Sequence, residues 1–216
     1  MEDRVELTFY ADPLCCWSWA LLAEIEKLES AFPERLNVNI CLGGMIQSWN
    51  NFQDPLNSIN KPSQMGPVWM DAKAKTGIPF DENIWVEDPP SSSFPACIAV
   101  KTAELQSEQI GRDYLRLLMR SVMLEGKNIS KPEVLAHIAN DLALQNPDFD
   151  KEKFLKEYNQ DLSREAFRKD IQKARMNNIG RYPTVTMIPA GKRGIVFTGF
   201  RPAVVLIDAF RTITSG

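Results

Sequence analysis

Asp12-Pro13-Leu14-Cys15-Cys16-Trp17-Ser18-Trp19 is the stretch on which the fold turns. Before it, Val5 to Tyr10 (Val-Glu-Leu-Thr-Phe-Tyr) alternates and then runs apolar, the pattern of a buried or half-buried strand. Asp12-Pro13 breaks that strand. From Cys16 onward, Leu21, Leu22, Ile25, Leu28 and Phe32 recur on one stripe and Glu24, Lys27 and Glu29 on another, as in an amphipathic helix. Pro33 ends it, because the residue before a proline is pushed out of the helical region. Leu36 to Leu42 then alternates strictly and predicts a second strand, closed by Gly43-Gly44. The unit is β-α-β, and the cysteine pair stands where the first strand hands over to the helix.

Further along, residues 46–94 are rich in Asn, Pro, Ser and Trp and weakly periodic, which predicts loops and short helical turns. Helices follow. One runs from Pro95 to Leu105, with its proline in the first turn. Another carries Ile110, Tyr114, Leu117, Leu118 and Val122 at helical spacing. Ser130 and Glu133 have the spacing of a capping box ahead of Val134, Leu135, Ile138 and Leu142. Asp150 and Ser163 are candidate N-caps for two more, the second closing at Asn178 or Gly180. Thr184 to Ile188 and Ile195 to Thr198 flank Gly191-Lys192-Arg193-Gly194, a hairpin signal, and Pro202 opens a last helix. An α/β fold results, its sheet built from both chain ends and its middle a block of helices.

Composition bounds the function. The 216 residues are 44% hydrophobic and 25% charged, with a net charge of −3 that gives no reason to expect nucleic acid. Lys151, Lys153, Lys169 and Lys173 are interleaved with acidic residues, as on a solvated helix face. No basic stretch leads into an apolar one at the start, and no run is long enough to span a membrane, so the expected setting is the cytoplasm. Thiols are kept reduced there, and Cys15, Cys16, Cys41 and Cys97 make no framework of spaced pairs. No ligand cluster has zinc-like spacing, and His137 stands alone of its kind.

Cys15 carries the chemistry. A free thiol, with pKa around 8.5, is mostly protonated at neutral pH. A helix N-terminus offers unpaired N–H groups and partial positive charge, both favouring a thiolate. The placement of Cys15 therefore predicts a depressed pKa, with the Ser18 hydroxyl as a further donor. Cys41 and Cys97 read as packing residues, Cys97 on a helix that could overhang the site. Trp17 and Trp19 read as packing of the first turn, with one of them, along with Trp49 and Trp69, shaping an apolar surface beside Cys15.

A second signal is Arg181-Tyr182-Pro183-Thr184, since a proline at the start of a central strand is an edge, turn or cis position. With Gly199-Phe200-Arg201-Pro202, Gly43-Gly44-Met45, Trp69, Thr76-Gly77-Ile78-Pro79-Phe80 and Pro95-Ala96-Cys97-Ile98-Ala99-Val100, the chain resembles the DsbA-like thioredoxin-fold proteins over nearly its whole length. Within them it resembles the cytoplasmic branch of protein-disulfide isomerases. The resemblance implies a thioredoxin-like domain from residues 1–45 and 180–216, with an inserted helical domain at 46–179. It implies a cis Tyr182-Pro183 bond facing the cysteine, where the Tyr182 backbone pairs with a substrate chain.

The family pattern is Cys-x-x-Cys, and here Ser18 occupies the place of the resolving thiol. A vicinal Cys15–Cys16 disulfide would strain the peptide between them. Monothiol exchange is the expectation, with Cys15 and Ser18 as catalytic candidates and Cys16, Trp17, Tyr182 and Pro183 as substrate-binding ones. The mixed disulfide would be resolved by an external thiol such as glutathione, a co-substrate, with no bound cofactor or metal required. The partner is then a thiol or disulfide, on a protein or a small molecule. Two alternatives stay open: a glutathione-binding transferase or isomerase of kappa-class type, and a non-catalytic binding adaptor.

Overall fold

The computed structural model describes residues 4–215. Strands β1 (Val5–Ala11), β2 (Leu36–Leu42), β3 (Thr184–Pro189) and β4 (Ile195–Thr198) form a sheet in the order β2-β1-β3-β4. β1 runs parallel to β2 and antiparallel to β3, and β3 is antiparallel to β4. The parallel pair needs a crossover, which is α1 (Cys16–Ala31). This is a thioredoxin-like sheet assembled from the two ends of the chain.

One face of the sheet is packed tightly. Leu7, Phe9, Val185 and Met187 are buried there against Leu21, Ile25 and Leu28 of α1 and Leu206 and Phe210 of α9 (Ala203–Thr214). Phe32, just past α1, stacks on Phe210 with ring centroids 4.1 Å apart. On the other face Tyr10 and Cys41 meet Ala174 of α8 (Asp161–Met176). Asp170 of that helix accepts the Leu42 amide at 2.8 Å and an ion pair from Lys101 at 3.3 Å, anchoring the insertion to β2.

Between β2 and β3 lie α2 (Met65–Thr76), a short α3 (Ile84–Glu87), α4 (Phe94–Glu104), α5 (Glu108–Glu125), α6 (Pro132–Gln145), α7 (Lys151–Tyr158) and α8. Their shared core is apolar and aromatic, and Leu14, Cys16 and Leu42 from the sheet half pack into it. No helix among the described residues is long and apolar enough to cross a membrane.

Three local expectations change. Residues 46–94 contain the three-turn helix α2, whose buried Met65, Trp69 and Ala72 are at helical spacing behind Gly66 and Pro67. The Ser130–Glu133 capping box does not form: Lys131 is the N-cap, Pro132 takes the first helical position, and the Ser130 hydroxyl turns to Asn128. Ser163 lies inside α8 rather than capping it, its hydroxyl donating to the Glu157 carbonyl at 2.8 Å. Asp150 does cap α7, accepting the Lys153 amide at 2.9 Å.

Candidate functional site

Cys15 is the N-cap of α1, in extended backbone with φ −88° and ψ 108°. Its carbonyl accepts the amides of Ser18 at 2.9 Å and Trp19 at 3.1 Å. The thiol points across the sheet end to β3, where Sγ donates to the Tyr182 carbonyl at 3.4 Å. The Tyr182-Pro183 peptide is cis, and Pro183 is buried. Cys15, Ser18, Tyr182 and Pro183 are thus brought together from opposite ends of the chain. Part of the Tyr182 backbone that the resemblance assigns to a substrate chain, its carbonyl, is occupied by the thiol.

The tyrosine ring lies over Gly43, and its hydroxyl donates to the Gly43 carbonyl at 3.4 Å. A Cβ on Gly43 would fall 1.9 Å from the ring, so only glycine permits this approach. Gly43→Ala is expected to lift the ring away and separate the Tyr182 carbonyl from Cys15. Faster modification of Cys15 by iodoacetamide would show it; an unchanged rate would place the thiol's protection elsewhere.

The charge state of Cys15 departs from expectation. Burial pushes its thiol up to about 11, against the pull of the Ser18 hydroxyl and amide, and the Asp12 carboxylate pushes the same way. Only 6% of Cys15 is exposed. The helix N-terminus is present, yet desolvation of a thiolate costs more than the end of one helix returns. Cys15 is a neutral thiol at physiological pH.

This has a consequence for stability. Cys15 rises to about 11 and Cys41 to about 12, both from an ordinary 9.0. Raised acids favour the folded state below the unfolded pKa, and that contribution is lost as pH climbs through the folded value. Urea midpoints are therefore expected to fall between about pH 9 and 12, and to fall less in Cys15→Ala. Equal losses in both proteins would mean that Cys15 is not held neutral by the fold.

Asp12 is a site residue that the sequence reading passed over. It is fully buried, and its carboxylate accepts the amides of Leu14 at 2.9 Å and Met45 at 2.6 Å and the Ser93 hydroxyl at 2.8 Å. Burial raises its pKa, and these donors oppose the shift. Asp12 ties the cysteine turn to the loop after β2 and to the start of α4. Its signal was the Asp-Pro turn itself, since an aspartate accepting from the residue two on is a standard turn device. Cys97 is buried beneath the site, its Sγ 4.0 Å from Asp12 Oδ2.

The other candidates separate. Ser18 is buried with its hydroxyl accepting the Asp12 amide at 3.4 Å. Cys16, expected to touch substrate, instead turns inward, 2% exposed, into the insertion core. Trp17 is half-buried, its ring 6.3 Å from Phe200 and 5.9 Å from the Lys75 ammonium. Trp69 does not line the site surface; it is wholly buried in an aromatic group with Trp85 and Phe80, which Trp49 joins through Trp85. Cys41 donates to the Asp170 carbonyl at 3.3 Å, and exposed His137 faces Asp141 at 3.6 Å. Among the described residues no group of three or more His, Cys, Asp or Glu side chains is placed to hold a metal ion.

With this geometry in view, comparison with known proteins gives a consistent fold. The ClpXP adapter protein SpxH of Halalkalibacterium halodurans is 28% identical over 210 residues, 94% of this chain. The chain spans 58–66% of the length of the curated adapter proteins it matches. Among solved structures, a presumed protein disulfide isomerase from Nitrosomonas europaea superposes with a TM-score of 0.77 at 22% identity, covering 98% of this chain and 96% of that one. The cytosolic disulfide reductase DsbM of Pseudomonas aeruginosa superposes at 0.68 with 21% identity, covering 89% and 88%, and has also been solved with glutathione. The profile of a family described as thioredoxin matches residues 9–206, which takes in both the cysteine turn and the Tyr182-Pro183 segment, and the chain belongs to that thioredoxin family.

Proposed function

We propose that this chain is the partner-binding unit of a ClpXP-type adaptor, a thioredoxin fold that recognises a protein rather than turning over disulfides. The observation that carries the reading is the Cys15 thiol, buried, pushed up to about 11 and engaged by the Tyr182 carbonyl. A nucleophile for exchange must be a thiolate, and at neutral pH this one is overwhelmingly protonated. Nor is a resolving thiol in place: Ser18 stands there, and Cys16 faces the core. The adapter names of the curated relatives agree with this. The recognition surface is the rim of the cysteine turn, with half-buried Trp17, Phe200 and Tyr182 offering apolar contact.

In the host, removal of the protein is expected to lengthen the half-life of a small set of proteins, read by quantitative proteomics after translation arrest. Cys15→Ser is expected to restore their turnover, and Trp17→Ala is not. Half-lives unchanged by removal, or restored only by a chain with Cys15, would sink the adaptor reading.

Monothiol exchange is the second reading, favoured by the position of Cys15 at the helix start beside a cis-proline. Here the Cys15 thiolate attacks a disulfide, forming a mixed disulfide and releasing one substrate thiolate. A glutathione thiolate then attacks the Cys15 sulfur, expelling the second substrate thiolate and leaving Cys15 glutathionylated. A second glutathione attacks the glutathione sulfur of that bond, releasing oxidised glutathione and the Cys15 thiolate. Glutathione-dependent reduction of a model disulfide well above a Cys15→Ser control would favour it. The kappa-class alternative loses ground on Ser18, whose hydroxyl is buried and occupied.

A further inference from the structure

We infer that strand β4 and the groove beside it bind an extended, acidic protein segment, added to the sheet as a fifth strand. The inference deepens the adaptor reading and rests on it for the existence of a protein partner.

Among the described residues β4 is a terminal strand, paired only with β3. The Gly199 amide donates to the Pro183 carbonyl at 2.8 Å, which makes that pair a bonded rung of the antiparallel ladder. Rungs alternate, so Thr184–Thr198 and Thr186–Val196 are non-bonded pairs. The N–H and C=O groups of Val196 and Thr198 consequently point away from β3. Among the described residues no other backbone group bonds to them. The opposite edge is different: on β2, Arg112 reaches the Val38 carbonyl and Asp170 takes the Leu42 amide. Natural sheets cover or charge their edges unless the edge is used.

The sheet face beside this edge is also open. Thr186, Ile188, Val196 and Thr198 share it, and with the 177–181 loop they border a groove of about 650 Å³. Ile188 is 49% and Val196 59% exposed, two apolar anchors on this face. A strand laid along β4 would place alternate side chains on this face.

Charge decides what kind of strand. Residues 171–207 contain Lys173, Arg175, Arg181, Lys192, Arg193 and Arg201 and no Asp or Glu, in a chain whose net charge is −3. Arg181 lines the groove and is exposed, as are Arg175 and Arg193. Among the described residues none of these three arginines is ion-paired. Among the described strand residues the acidic side chain on the same face is Glu6, opposite Ile188 on β1, and it is held from the far side by the amides of Asn37 and Asn39. Basic ends, an unpaired edge and two apolar anchors fit an extended segment alternating acidic and branched apolar residues. The groove's lining includes neither Cys15 nor Pro183, so this is a surface apart from the cysteine turn.

Fluorescence anisotropy of a short labelled peptide alternating glutamate with valine tests it, using the full chain and a lysine–valine peptide as comparison. The acidic peptide is expected to bind at least about tenfold more tightly than the basic one. Val196→Pro removes an outward N–H without touching the β3 ladder, a position an edge strand tolerates, and is expected to weaken binding by about tenfold or more. Arg181→Glu with Arg193→Glu is expected to do the same while the unfolding midpoint stays unchanged. Hydrogen exchange at the Val196 and Thr198 amides is expected to slow on peptide addition. Equal binding of both peptides, unaltered affinity in either variant, or an edge already closed by a second copy in a dimer that Val196→Pro dissociates would overturn the inference. None of these outcomes touches protein half-lives in the host, so the adaptor reading would stand or fall separately.

Discussion

Trp69→Ala is expected to cost about 3–5 kcal/mol of folding stability, the largest loss foreseen for a single side chain outside the sheet. Trp69 is wholly buried on α2, edge-on to Trp85 with centroids 5.3 Å apart and 5.9 Å from Phe80. Truncation leaves a cavity that these rings cannot close, since both are themselves fixed by neighbours. One effect works the other way. Among the described residues the indole Nε1 has no hydrogen-bond partner, and an unpartnered buried N–H is unfavourable by about 1–3 kcal/mol. Trp69→Phe keeps most of the ring and deletes that group, so its cost should be well below that of alanine. Urea denaturation of the two variants decides it; equal losses would mean that ring packing is not the source.

Asp12→Ala is expected to destabilise by about 2–5 kcal/mol, because it strands the Leu14 and Met45 amides and the Ser93 hydroxyl without an acceptor. The loss should depend on pH, with a definite sign. Burial raises the Asp12 pKa above its ordinary 3.8. A raised acid favours the folded state most fully below the unfolded pKa, and that advantage declines as pH rises through the folded value. The gap between the native chain and the alanine variant is therefore widest in acid and narrows toward neutrality. A gap that widens toward neutrality would mean that the carboxylate is stabilised as an ion. Asp12→Asn, which retains polar contacts and removes the charge, is further expected to lower the Cys15 pKa, since Asp12 is among the groups that raise it. Faster alkylation of Cys15 in that variant would report it.

Both predictions concern features at the margin of what the sequence reveals. The β-α-β start, the final hairpin and the junction cysteine were legible because period-2 and helical patterns there are clean and Pro33, Gly43 and Gly44 punctuate them. Helix α2 was not, because Gly66 and Pro67 weaken its first turn and its apolar side chains include the bulky Trp69, which also suits a loop anchor. Ser130 was misread since Pro132 can open a helix without a side-chain cap. At the site, the position of Cys15 at a helix start is a local feature, legible from the strand and helix patterns that flank it. Its protonation state was not local. Desolvation comes from residues far along the chain, Tyr182 at its back and the α4 start beneath Asp12, and no spacing announces how thoroughly they exclude water. Asp12 illustrates the same point, since a turn aspartate and a buried network aspartate are spelled alike.

The neutral, engaged state of Cys15 carries the proposed recognition role. It is tested most directly by titrating thiolate absorbance in the ultraviolet, taking the difference between the native chain and Cys15→Ser. A midpoint near 11 is the predicted result. A midpoint at or below about 8.5, that of a free thiol, would contradict the account and return the site to exchange chemistry.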